Sequence, residues 1–157
     1  MKTIIFVCHG SICRSPAAAF IAKKYLKEIG RDSEFNILIR ATSSEEIGND
    51  VYPPMRRELI RRGVPLYPHA AQRIRQADYE NADYIFFMDD ENYYSLLRQI
   101  DDHKHILFRI NKYTAGIHEI EDPWYTDRFE KVFGQIQEGC HALFNKLVNE
   151  YQNEANQ

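Results

Sequence analysis

Residues 3–26, TIIFVCHGSICRSPAAAFIAKKYL, pass from a short apolar run into a helical pattern, with VCHGSICRSP at the junction. Ile4 to Val7 are continuously apolar, the mark of a strand buried on both faces. Beyond the junction, Ala17, Phe20, Ile21, Ala22, Tyr25 and Leu26 recur at helical spacing until Gly30, which predicts a helix. Pro16 fits its first turn and Ser15 is the expected N-cap. A loop between a strand and a helix N-terminus gathers backbone N–H groups around a concave space, and the helix dipole adds to their field. Gly10 supplies backbone freedom in that loop, and Arg14 can fold across it to offer its planar fork to two oxygens of a tetrahedral oxyanion. The positive field of such a loop stabilises a thiolate at its start, which makes Cys8 a nucleophile beneath a bound phosphate. The segment lacks the G-K-(S/T) ending of the Walker-type phosphate loop, which favours the nucleophilic reading.

The pattern continues outward as alternating strands and helices. FNILIRA, 35–41, is a β-rich run, followed by the polar loop TSSEEIGNDVYPP and a helix MRRELIRRG ending at Gly63. Next are expected a short helix around 71–79, a strand at 84–88, a helix at about 90–99 and a strand at 105–108. After an irregular stretch, 111–125, apolar residues from Phe129 to Val148 at three-to-four spacing predict a C-terminal helix from about Thr126 to Tyr151. Repeated βα units imply an α/β fold, doubly wound, with a mainly parallel central sheet of about four strands and helices on both faces. Ligands of such folds bind at the carboxyl ends of strands, where the Cys8 loop lies. The expected organisation is one domain over 1–151 and a polar tail over 152–157.

With 157 residues, the chain is long enough for one core and short for two. Its 20 basic and 23 acidic residues give a net charge of −3, so no overall field recruits nucleic acid or an anionic membrane. MKTIIFVC is too short an apolar run for a signal segment, and no stretch approaches a membrane span. Three cysteines without framework spacing point to a reducing cytoplasm. RRELIRR, 56–62, reads as a solvated helix face, and His103 with His105 lacks a third ligand at metal-site spacing.

VCHGSICRSP closely resembles the signature of the low-molecular-weight protein tyrosine phosphatases, usually V-C-x-G-N-x-C-R-S-P. ATSSEEIGN resembles that family's second loop, FFMDDEN its M-D-x-x-N segment, and EDPWY its D-P-(Y/W)-Y motif. The resemblance implies a cofactor-free, metal-free phosphatase acting on phosphotyrosine-containing proteins or small aryl phosphates. It implies that Cys8 attacks phosphorus, Arg14 and the loop amides hold the equatorial oxygens, and Ser15 donates to the Cys8 sulfur. Asp122 would be the general acid; by itself Asp122-Pro123 reads only as a turn starter. Phosphate would lie among Gly10, Ser11, Ile12 and Cys13. The pocket walls would be His9, approximately Glu45, and Trp124, with Tyr125 as the family's second aromatic.

Two departures from the family pattern stand out. Ser11 replaces the usual Asn, which tolerates a left-handed backbone better, and the family's strand serine falls on Ile39, while His69 is retained. The loop is therefore expected to be less rigid without phosphate. Glu45 at the rim would disfavour acidic sequence beside phosphotyrosine, and the competing reading makes it a solvated loop residue. Arsenate reductases share this fold and loop, but thioredoxin-linked members use two further cysteines, and the matching region here has Phe86 and Phe87. A non-catalytic phosphate-binding module is the other alternative, although binding alone needs neither thiol nor acid. Cys13 is either a packing residue or the partner of Cys8 in a reversible disulfide.

Overall fold

The computed structural model describes residues 1–116 and 118–155. Four strands, β1 (Lys2–Cys8), β2 (Phe35–Ala41), β3 (Tyr84–Phe87) and β4 (Leu107–Arg109), form one sheet in the order β2-β1-β3-β4. Every pairing is parallel, and the register sets Cys8 beside Ala41 and Phe6 beside Phe86. Because successive side chains of a strand point to opposite faces, β1 feeds two cores. Ile4, Phe6 and Cys8 pack with α1 (Arg14–Glu28), α2 (Pro53–Arg61) and α6 (Phe129–Ala155), while Ile5 and Val7 pack with α3 (Gln76–Glu80) and α4 (Asp90–Gln99). This is the doubly wound arrangement expected. The chain leaves β1 for β2 on one side and reaches β3 on the other, so the sheet's switch point lies at the carboxyl end of β1.

Four boundaries differ from the sequence reading, each for a local physical reason. Ser15 does not cap α1: the N-cap position is Cys13, without a side-chain cap bond, and the Ser15 hydroxyl is turned to Cys8 and Ser11 instead. The helix expected over 71–79 begins only at Gln76. Residues 71–74 lie along the edge of β2, where the Ala41 N–H donates to Gln72 and the Ile74 N–H donates to Ala41, so their backbone groups are unavailable to a helix. The last strand is Leu107–Arg109 rather than 105–108, and His105, with φ +55°, lies in the turn before it. Finally, the helix start expected near Thr126 falls between two helices. A short α5 (Pro123–Thr126) stops at Asp127, whose left-handed backbone (φ +61°) ends it, and α6 then runs past Tyr151 to Ala155.

Buried Phe133, Ile136, Cys140, Leu143 and Phe144 line the α6 face that packs on α1 and the sheet. Burying such a face stabilises the fold by about 25 cal/mol for each Å² of apolar surface removed from water. Arg56, Arg61 and Arg62 of the basic stretch pair with Asp50, Glu58 and Glu130. No helix among the described residues is long and apolar enough to cross a membrane.

Candidate active site

The loop between β1 and α1 curls over the end of the sheet because its carbonyls are anchored outside it. The Cys8 and His9 carbonyls accept from the Thr42 and Ser43 amides at 3.0 Å each. The Ser11 carbonyl lies 2.6 Å from His69 Nε2, and the Ile12 carbonyl accepts from the Tyr52 amide at 2.7 Å. The C=O and following N–H of one planar peptide point in opposite directions, so these anchors turn the amides of Ile12 and Cys13 the other way. The turn requires a left-handed residue at Ser11, with φ +60°. Glycine at position 10 allows Glu46 to approach: a Cβ there would lie 3.0 Å from Glu46 Cγ.

Cys8, Ser11 and Ser15 form a buried hydrogen-bonded unit. The Ser15 hydroxyl lies 3.2 Å from Cys8 Sγ and 3.0 Å from the Ser11 hydroxyl, and the Ser15 amide donates to the same sulfur at 3.4 Å. Three polar groups thus converge on or behind one thiol. Ser11 and His69 both enter the loop's support, as the sequence reading expected of His69, whereas Ile39 packs with the apolar core.

Arg14 is almost wholly buried, with 2% of its side chain exposed. Its Nη1 donates to Asp89 Oδ2 at 2.6 Å and to the Ile120 carbonyl at 2.8 Å, and its Nη2 lies 3.6 Å from Asp122 Oδ2. Burial alone would weaken the guanidinium's charge, but Cys8, Asp89 and Asp122 outweigh it and hold Arg14 above its ordinary pKa. Asp89 was not among the residues singled out from sequence. Its signal was an Asp directly before a helix, for it also caps α4 by accepting from the Asn92 amide at 2.8 Å.

One cavity is lined by Cys8, His9, Gly10, Ser11, Ile12, Cys13, Arg14, Glu45, Asp122, Trp124 and Tyr125, together with Glu46, which the sequence reading missed. Ser15 stands behind the sulfur rather than in the lining. At the mouth, His9 Nε2 lies 3.0 Å from Glu45 Oε2, so Glu45 is a rim residue with a partner rather than a free loop side chain. Asp122 caps α5 by accepting from the Trp124 amide at 3.0 Å, which fixes its carboxylate beside Arg14. The Trp124 ring packs on Tyr52 at 4.8 Å between centroids. Burial, then the charge of Cys8, pushes the Cys13 thiol well above its usual pKa, and burial does the same to Cys140. Both therefore stay in the thiol form at neutral pH.

Within one α/β fold, a buried thiol, a buried guanidinium and a carboxylate thus meet around an amide-rich loop at the sheet's switch point. Residues 3–153 match the family model described as "Low molecular weight phosphotyrosine protein phosphatase", and the chain belongs to that family. It is 33% identical over 156 residues to the human low molecular weight phosphotyrosine protein phosphatase, covering 92% of this chain and 95% of that one. It is 30% identical to the low molecular weight protein-tyrosine-phosphatase YfkJ of Bacillus subtilis, covering 97% and 99%. The crystal structure of YfkJ superposes with a TM-score of 0.92 over 96% of both chains, at 29% identity. A protein tyrosine phosphatase from Entamoeba histolytica, crystallised with Hepes in the active site, gives 0.89 at 29% identity, covering 96% and 99%.

Proposed function

We propose that this protein hydrolyses phosphotyrosine in proteins, and aryl phosphomonoesters generally, through a phosphocysteine intermediate and without a metal or organic cofactor. The observation that carries the reading is the placing of Cys8 Sγ, the Arg14 guanidinium and the Asp122 carboxyl around one cavity. The phosphoryl oxygens take hydrogen bonds from Arg14 and the loop amides, which stabilise charge as it develops on them. Cys8 thiolate attacks phosphorus, an S–P bond forms and the P–O bond to the aryl group breaks. Asp122 gives its proton to the departing phenolate oxygen. Asp122, now a carboxylate, takes a proton from water as that water attacks phosphorus. The S–P bond breaks, phosphate leaves and the thiolate returns, with the Ser15 hydroxyl at 3.2 Å stabilising the sulfur as leaving group. Trp124 is positioned to stack on the substrate ring.

The reading as a thioredoxin-linked arsenate reductase has less support. Phe86 and Phe87 are buried within β3, and Cys140 is fully buried beneath α1. The odd count of three cysteines supports a reducing, cytoplasmic setting. The test is hydrolysis of p-nitrophenyl phosphate with EDTA present, comparing wild type with Cys8→Ser. The expected result is metal-independent turnover that the substitution abolishes; turnover surviving in Cys8→Ser would remove the cysteine mechanism.

A further inference from the structure

We propose that the mouth of this cavity selects phosphotyrosine flanked by Lys or Arg, with Glu45 and Glu46 as the residues that set the preference. This rests on the phosphatase reading and names its substrate class more closely. Besides the thiols and the Tyr125 phenol, five charged or titratable side chains line the cavity: His9, Arg14, Glu45, Glu46 and Asp122. Arg14, the one permanent cation, lies at the base and is already matched by Asp89 and Asp122. At the mouth His9 lies on Glu45, while the Glu46 carboxylate is met by the neutral Asn49 amide at 2.6 Å. Even with His9 protonated, the mouth therefore keeps one net negative charge, and with His9 neutral it keeps two. Arg73, next to this loop, places its guanidinium on Ser44 and Gln99 and does not line the cavity.

A second feature points to the same ligand chemistry. Trp124 is 54% exposed and Tyr125 83% exposed, and both line the same cavity as the two glutamates. An exposed indole or phenol face attracts a Lys ammonium or, better, an Arg guanidinium. Carboxylates and aromatic faces thus frame one opening, and a cation beside the phosphotyrosine gains from both. An acidic neighbour gains from neither and is repelled by Glu46. Gly10 is part of the same device, because the Glu46 stem occupies the space that a Cβ at position 10 would need.

The experiment measures kcat/KM for two phosphotyrosine peptides that differ only in flanking residues, Lys and Arg in one and Asp and Glu in the other. It uses the full chain and its Glu45→Gln/Glu46→Gln variant. For wild type at low salt the basic-to-acidic ratio is expected to be about fivefold to tenfold, as partly screened pairs at an opening allow. It should contract towards unity in the variant, and also in wild type as sodium chloride is raised. A wild-type ratio at or below one, a ratio unchanged in the variant, or a ratio insensitive to salt overturns the proposal. Because the readout is a ratio, a general loss of activity in the variant divides out. If the chain turns over neither peptide, the phosphatase reading fails, and dissociation constants for the same two peptides give the ratio that decides the rim by itself.

Discussion

The loop from Cys8 to Ser15 and the loop over 42–52 that backs and borders it share one ligand space but are held differently. The first is buried and fixed by many partners: the Cys8, His9, Ser11 and Ile12 carbonyls are each anchored, and Arg14 has Asp89, Ile120 and Asp122 around it. The second anchors the first through Thr42, Ser43 and Tyr52, yet its own Glu45 is 69% exposed and Ile47 is 58% exposed. The difference separates two tasks. Chemistry on phosphorus needs donors and nucleophile fixed in advance, since reorganisation during reaction would raise the barrier. Choosing among peptides needs only about 1 kcal/mol between competitors, which exposed charges supply.

Substitutions that cross this divide test it. The largest loss after removal of the nucleophile is expected at Asp122. Asp122→Asn keeps an α5 cap but carries no transferable proton, and turnover of p-nitrophenyl phosphate should fall by about 10²–10⁴-fold. A smaller loss would place the acid elsewhere. Asp89→Asn comes next. The amide can still cap α4, but Arg14 loses its shortest ionic partner, and breaking a largely buried pair is expected to cost about 1–3 kcal/mol of stability, read from urea unfolding. An unchanged midpoint would show that Asp122 and Ile120 hold Arg14 without it. The smallest effect is expected at Gly10→Ala, where the new Cβ must displace Glu46 at a cost of about 1 kcal/mol. Its informative readout is the preference for basic flanks, which should weaken because Glu46 has moved; an undiminished preference would detach Glu46 from the rim.

The strand-to-helix junction at VCHGSICRSP was legible because nucleophile, anion loop and helix start are contiguous, so local geometry assembles them. Asp122 was legible only through the resemblance of its motif, since Asp-Pro alone reads as a turn. Asp89 lay in view in the FFMDDEN segment but was given no role, because neither that motif nor its cap signal hints that the carboxylate reaches Arg14, 75 residues away in sequence. Ser15 misled in the opposite sense. It had the identity of an N-cap, but a buried thiol offered its hydroxyl a partner that no propensity records. The short α5 was missed because Pro123 to Tyr125 lay in the stretch read as irregular, and its end at Asp127 rests on a left-handed backbone that apolar spacing does not record.

Periodicity and local motifs therefore determined, from sequence alone, the alternation of strands and helices, the burial of β1 and the position of the anion loop. These depend on residues close together in the chain, where spacing fixes direction. Only the tertiary structure decided which carboxylates meet Arg14, that His9 and Glu45 close on each other across the mouth, and that Glu46 fills the space left by Gly10. Such contacts join loops from different strand ends, and their distances are set by the packing of α1, α4 and α6 on the sheet.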